Sequence, residues 1–274
     1  MQLSALATRV ANQNMFAKII FVASSAVWLV ACERNTASSA STGDSGRTVR
    51  EMVQIERTEP AGALIKMTRE TAYEGCAGVA KALNLPVKPF PDTPADYVSE
   101  RTTVISDGSN YVRKVEHPYN LVGDKMNPEN GCEFRIEASK QADIFIVKDG
   151  KSTSVRRNSE NQWHVEEGVS VPAEKAARNG ASSTYSEALT VNGVKLRCVP
   201  ASDAVMKVFD AEAMCIDGSD QPLSTNGKPV VLYFRAKAPL TAAAFAYVTI
   251  QEPVSLKQSD KFDSKIFDPA TYTR

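Results

Sequence analysis

Between residues 132 and 138 every second side chain is apolar or small. Cys132, Phe134, Ile136 and Ala138 fall on one side, and Glu133, Arg135 and Glu137 on the other. A period of two over that length is the signature of a β-strand with one covered and one wet face. The pattern recurs along the chain, with tight-turn residues between the repeats. Residues 98–105 and 111–117 flank Asp107-Gly108-Ser109-Asn110. Residues 143–148 and 153–157 flank Asp149-Gly150, and Ser159-Glu160-Asn161 leads into 163–166. The strongest hairpin signal is Asn192-Gly193 between 187–191 and 194–199, because Asn-Gly supplies the positive φ angles that two-residue hairpin loops require. Asn226-Gly227 repeats it before 230–236, and 245–250 supplies a further strand. About nine strands in hairpin connection predict an antiparallel sheet.

Helical spacing is rarer. Ala72, Cys76, Val79, Ala80 and Leu83 recur at helical intervals and predict a helix over about residues 68–83, stopped by Pro86. Residues 172–178 read as a second, short helix closed by Asn179-Gly180. The charged stretch 49–58 fits neither period, and 86–94 holds four prolines and must be an extended connection. Residues 255–274 read as a polar tail with Phe262, Phe267 and Tyr272 left to dock on the body. The expected fold class is α+β: mainly an antiparallel β-sheet, able to curve into an incomplete barrel, with one or two short helices.

The only long apolar run precedes all of this. Residues 19–31 carry no charge, follow Lys18, and end at Leu29-Val30-Ala31-Cys32. A basic start, a short apolar stretch and small residues at the cut are the parts of an export signal. The last four residues resemble the lipobox of bacterial lipoproteins, where a peptidase cuts before the cysteine and that cysteine carries the lipid. The resemblance implies a signal peptide over 1–31, a lipidated, palmitate-bearing Cys32 and a permanent membrane anchor. With Glu33 rather than Asp after the cysteine, it implies the periplasmic face of the outer membrane over the inner membrane. Two other readings of the run stay open. One is a membrane span, although about 20 apolar residues are needed for that and Ser24 and Ser25 interrupt this one. The other is an ordinary secretory signal with a coincidental cysteine. Met15 is an alternative start to Met1. Residues 32–48, rich in Ser, Thr, Ala, Gly and Asn, read as a flexible tether, which leaves 49–274 as a single β-rich periplasmic domain.

Four cysteines follow Cys32: Cys76, Cys132, Cys198 and Cys215. An even number in an exported chain suggests two structural bridges. The expected pairs are Cys76–Cys132 and Cys198–Cys215. Cys198 shares a strand face with Val194 and Leu196, and a hairpin turning near Met206-Lys207 brings Cys215 opposite it. Cys132 faces the covered side of its strand, where a helix bearing Cys76 can sit. Without residues 1–31, which hold Arg9 and Lys18, the net charge is about −2 and gives no electrostatic case for nucleic acid.

The motifs that carry chemistry are missing. The sequence has no C-x-x-C pair, no G-x-S-x-G elbow, no S-x-x-K with companion blocks and no phosphate-binding glycine loop. His117 and His164 lack partners at metal-ligand spacing and read as structural or exposed, so neither metal nor cofactor is expected. The oxygen-rich loop 123–131 misses the order of a calcium loop and reads as a turn. Glu166 and Glu167 are strand neighbours that point to opposite faces. Trp163, the sole tryptophan beyond the signal, is expected to turn its indole to the covered face.

The hairpin Val191-Asn192-Gly193-Val194, the strand cysteines Cys198 and Cys215, Asp217-Gly218 and Pro222-Leu223 occur in an order that resembles periplasmic proteins with a LolA-like incomplete barrel. That resemblance, over about residues 97–270, implies a curved sheet wrapped on a helix around a cavity for an acyl chain. Two functions follow as expectations. The first is a lipid-anchored, non-catalytic envelope module that acts on a protein partner or is structural. The alternative is a carrier that holds a lipid or other apolar ligand in a half-barrel cavity, its binding residues unknown.

Overall fold

The computed structural model describes residues 48–123, 131–170, 184–225, 227–238 and 246–273, with the side chains of 169 and 170 left out. The strands are β1 (Val49–Glu59), β2 (Glu100–Ser106), β3 (Tyr111–Glu116), β4 (Tyr119–Gly123), β5 (Phe134–Ala138), β6 (Ala142–Lys148), β7 (Lys151–Arg157) and β8 (Trp163–Ser170). They continue with β9 (Glu187–Val191), β10 (Val194–Cys198), β11 (Ala211–Asp217), β12 (Ser224–Thr225), β13 (Lys228–Pro229), β14 (Val231–Lys237) and β15 (Val248–Ser259). Eleven of them form one sheet in the order β8-β7-β6-β3-β2-β1-β15-β14-β11-β10-β9. Every pairing in it is antiparallel.

The charged stretch that fits no period is the central strand of this sheet. β1 pairs with β2 on one side and β15 on the other. Its charges are matched by other strands: Arg57 Nε donates to Glu252 at 2.8 Å, and Arg50 donates to Asp217. A bulge opposite Val53 and Gln54 leaves Val254 outside the ladder beside Pro253. That place suits a residue with no N–H to give. β15 runs on to Ser259, so residues 255–259 belong to the sheet rather than to the tail.

The sheet folds back on itself. Met52 of β1, Val104 of β2, Leu196 and Cys198 of β10, Cys215 of β11, Leu232 of β14 and Leu223 of the loop after β11 share one apolar cluster. In the ladder β2 and β10 are five strands apart. A flat sheet at about 4.8 Å per strand would hold them about 24 Å from each other. The bend brings the two halves face to face, but β8 and β9 remain as edges and the sheet is not closed. On the opposite face, Val112, Ile144, Ile146 and Val155 are covered by the C-terminal segment through Phe267, with Phe262 and Tyr272 beside it. The three aromatic residues of the tail do dock on the body.

The strand with the clearest alternation lies outside that sheet. β5 pairs only with β4, and this hairpin packs against the main helix α1. α1 runs without a break over residues 63–82, as Ala63–Thr68, a wider π turn Arg69–Tyr73, and Glu74–Ala82. It begins about one turn earlier than periodicity predicts. Gly62 at its start offers no side-chain cap; Thr58 Oγ1 accepts from Ala63 N–H instead, at 3.2 Å. The buried face is also rotated from the expected one. Ala77 and Ala80 pack with Tyr73 and Cys76 against Phe134, whereas Val79 and Leu83 are exposed. The bond from Cys76 to Cys132 and the edge-on contacts of Tyr73 with Phe90 and Phe134 select that face. A second helix, α2 (Ala204–Val208), bridges β10 and β11 with Asp203 as its N-cap. The helix expected over 172–178 lies outside the described residues, as do residues 124–130 of the loop expected to be a turn.

Candidate functional site

A group of partly buried polar residues lies at one end of β1, β2 and β6 and in the turn after β3. Strand register sets the first pair: Glu56 stands directly opposite Glu100, on the face that also carries the pairs Gln54–Thr102 and Met52–Val104. Like charges in direct cross-strand register weaken a sheet. Both are half-buried, so water relieves the repulsion only in part. Glu56 is held by Ser99 Oγ, which donates to Oε1 at 3.1 Å, and by Gln251 Nε2, which donates to Oε2 at 3.0 Å.

His117 stands between Glu100 and a third carboxylate. Its Nδ1 is 4.0 Å from Glu100 Oε1 and its Nε2 3.8 Å from Asp143 Oδ2. Asp143 is in turn gripped by Arg156 Nε at 2.6 Å. The neighbouring Asp143 carboxylate raises the His117 pKa against the opposing effect of burial, and the charge of Glu100 adds to the rise. His117 first, then the hydrogen bond from Arg156, holds Asp143 below the usual carboxylate range. Glu100 moves the other way: burial, then the charge of Glu56, pushes its pKa up. Burial and Glu56 also raise the Tyr97 and Tyr247 hydroxyls, and the Tyr97 ring lies 5.6 Å from that of Tyr119.

Gln54 completes the strip. It is 8% exposed, and its Oε1 has no hydrogen-bond partner. An orphan acceptor this deeply buried is rare enough in native proteins to need a cause. What the cluster offers chemically is acceptors: the carboxylates of Glu56, Glu100 and Asp143 and the buried amide oxygen of Gln54. Among the described residues no group of His, Cys, Asp and Glu is arranged to hold a metal ion.

The residues singled out from the sequence are placed as follows. Cys32 lies outside the described residues. Cys76 is bonded to Cys132 and Cys198 to Cys215; the latter two face each other in register on β10 and β11. His164 is exposed on edge strand β8, opposite Arg156. Trp163 is half-buried beside the cluster covered by Phe267, with Arg157 Cζ 5.0 Å from its ring centre. His117 is the residue whose surroundings spacing could not reveal. Its carboxylate neighbours come from separate strands, and only the register brings them together.

No protein-family profile, curated protein or solved structure matches this chain. The site therefore rests on its geometry. Among the described residues no helix is long and apolar enough to cross a membrane, and the two disulfides are compatible with an extracytoplasmic location.

Proposed function

We propose that the protein is a lipid-anchored envelope protein, tethered through Cys32, whose β-rich body is a non-catalytic interaction module. One observation favours a module over a carrier of apolar ligands. The inside of the bent sheet is occupied by the chain's own side chains: Met52 and Leu232 are 0% exposed, Leu223 1% and Leu196 2%, and they pack on one another. A carrier needs an apolar lining that the protein itself leaves unfilled. The sequence run before Cys32 supports the tether, and the two disulfides suit the oxidising compartment that such a protein would enter.

The test uses the full-length protein expressed in a bacterial host. Detergent phase partitioning should place the wild type in the detergent phase, and mass spectrometry should find acyl chains on Cys32 of the wild type and an unlipidated precursor with its signal uncleaved for Cys32→Ser. Native mass spectra of the body should show no further lipid bound. A stoichiometric second lipid would replace the module with the carrier, and a wild type without acyl chains would remove the tether.

A further inference from the structure

We infer that edge strand β9 is a self-association surface, on which a second copy of this chain adds its own β9, antiparallel, about a two-fold axis through Leu189. The inference rests on the reading of the body as an interaction module and names its partner. β9 ends the eleven-stranded sheet, and among the described residues it pairs only with β10. The hairpin between the two fixes which backbone groups are free. Asn192 and Gly193 both have positive φ, which makes the tight two-residue turn whose flanking residues, here Val191 and Val194, exchange both ladder bonds. Bonded and unbonded pairs alternate along an antiparallel ladder, so Leu189 and Glu187 also bond to β10. Ala188 and Thr190 therefore turn their N–H and C=O groups outward, and both residues are exposed.

The other edge of the sheet is defended and this one is not. β8 carries His164, Glu166 and Glu167 at exposed positions, and a register shift interrupts its pairing with β7. Charges and bulges are the usual means of stopping a foreign strand from adding to an edge. From Ala188 to Val191, β9 has no charge, no proline and no bulge in its ladder.

The register selects a second copy as the occupant. β9 spans Glu187–Val191, so a two-fold axis through its central residue pairs the whole strand with itself. Ala188 then meets Thr190 of the second copy and exchanges both bonds with it, and symmetry repeats the exchange. Glu187 falls opposite Val191, so no carboxylate opposes another. Leu189 meets Leu189 in the closely spaced, unbonded kind of pair. Its partner on β10 is Leu196, 2% exposed in the apolar core, whereas Leu189 itself is 38% exposed. The apolar row that starts in the core thus stops uncovered at the edge, and the pairing continues it from one molecule into the next. An axis of this kind closes on two copies, whereas β9 against a neighbour's β8 would run on as an open filament. One short strand is a small interface, so the pair forms where copies are concentrated, as on a shared membrane surface.

The experiment is oxidative crosslinking of the full-length protein in intact cells of a bacterial host. The wild type, whose body cysteines are already paired, sets the background. Leu189→Cys should give a disulfide dimer, because unbonded pairs hold their Cα atoms about 4.5 Å apart, within bridging reach. Thr190→Cys should give less than about a tenth as much, since its mate in this register is Ala188 and its own copy lies beyond bridging reach. Random collision would crosslink the exposed Thr190 position as well as Leu189. Adding Thr190→Pro to Leu189→Cys removes an outward N–H without touching a bond to β10, and should lower the dimer yield roughly tenfold. The comparison of the two cysteines stands even where the proline variant does not fold. A Leu189→Cys protein that stays monomeric overturns the inference, as do equal yields at the two positions. An adduct with a different protein also overturns it, and identifies strand addition by another partner. A lipid bound in the body, or Cys32 without acyl chains, would show in the mass spectra and not in the crosslinks, so the two failures are told apart.

Discussion

Arg50 on central strand β1 donates to Asp217 at the end of β11, although β15 and β14 lie between those two strands in the sheet. The contact exists because the sheet bends. Asp217 is 3% exposed and accepts three further bonds, from Ser219 N–H at 3.0 Å, Ser219 Oγ at 2.9 Å and Leu223 N–H at 3.2 Å. It thereby ties the loop after β11 to the middle of the sheet. Asp217→Ala leaves the Arg50 guanidinium with Ser219 Oγ, the Gln221 carbonyl and Gln258 Oε1 but strands two backbone donors, and should cost about 2–3 kcal/mol of folding stability. Asp217→Asn keeps one acceptor oxygen and should cost less. Urea unfolding measures both; equal losses would mean that charge, not hydrogen bonding, dominates at this position.

The His117 cluster makes stability depend on pH in a defined direction. Its folded pKa lies above the ordinary value of 6.5, first because of Asp143. Its contribution is therefore complete below pH about 6.5 and lost as the pH climbs through the raised folded value. Glu100 works in the same sense. Its own pKa is raised by burial and by Glu56, so its ionised form penalises the fold above its unfolded value of 4.5. Asp143 is lowered by His117 and Arg156, and its contribution is lost only in acid, as the pH falls from 3.8 through its lowered value. The melting temperature should peak in mild acid and decline through neutrality, and His117→Gln should flatten the decline. Proton NMR titration of His117 should give a midpoint above 6.5; a midpoint below it would contradict the pairing with Asp143.

The two disulfides stabilise different parts. Cys198 and Cys215, separated by 17 positions, close a loop inside the main sheet, whereas Cys76 and Cys132, separated by 56, tie α1 to the β4–β5 hairpin. The chain-entropy relation gives about 3 and about 4 kcal/mol respectively. Cys76→Ser with Cys132→Ser should release hydrogen-exchange protection of residues 63–82 and leave β1 and β15 protected. Cys198→Ala with Cys215→Ala should lower protection throughout the bent sheet. Gly131→Ala should behave like the first pair, because a Cβ there would collide with the Pro86 carbonyl oxygen and displace Cys132.

Hairpins were legible where turn residues and alternation coincide, as at Asn192-Gly193 between β9 and β10. Alternation could not tell which sheet a strand joins, so the clearest case, β5, belongs to a two-stranded ribbon under a helix. β1 was illegible for a different reason. Its polar side chains are satisfied by residues about two hundred positions away, such as Glu252 for Arg57, and no local window contains the partner. The candidate site hides in the same way. Glu56, Glu100, His117 and Asp143 carry no mutual spacing, and register alone makes them neighbours.

The C-terminal segment is part of the fold, and one tryptophan can report it. Phe267 is 2% exposed in the cluster with Val112, Ile144, Ile146 and Val155, and its ring meets Phe262 edge-on at 6.2 Å. Asp263 and Asp268 cap the two short 3-10 turns that present it. Tyr272 locks the end by donating its hydroxyl to the Ile266 carbonyl at 2.7 Å. Trp163 borders the same cluster from edge strand β8. Phe267→Ala should cost about 3–5 kcal/mol, the usual range for emptying a buried phenylalanine site. In a Trp28→Phe background Trp163 is the only emitter, and undocking of the segment should shift its emission to the red. A stability loss without the shift would mean that the segment stays docked around a cavity. A shift without the loss would mean that the sheet is stable unaided and the segment serves only to cover it.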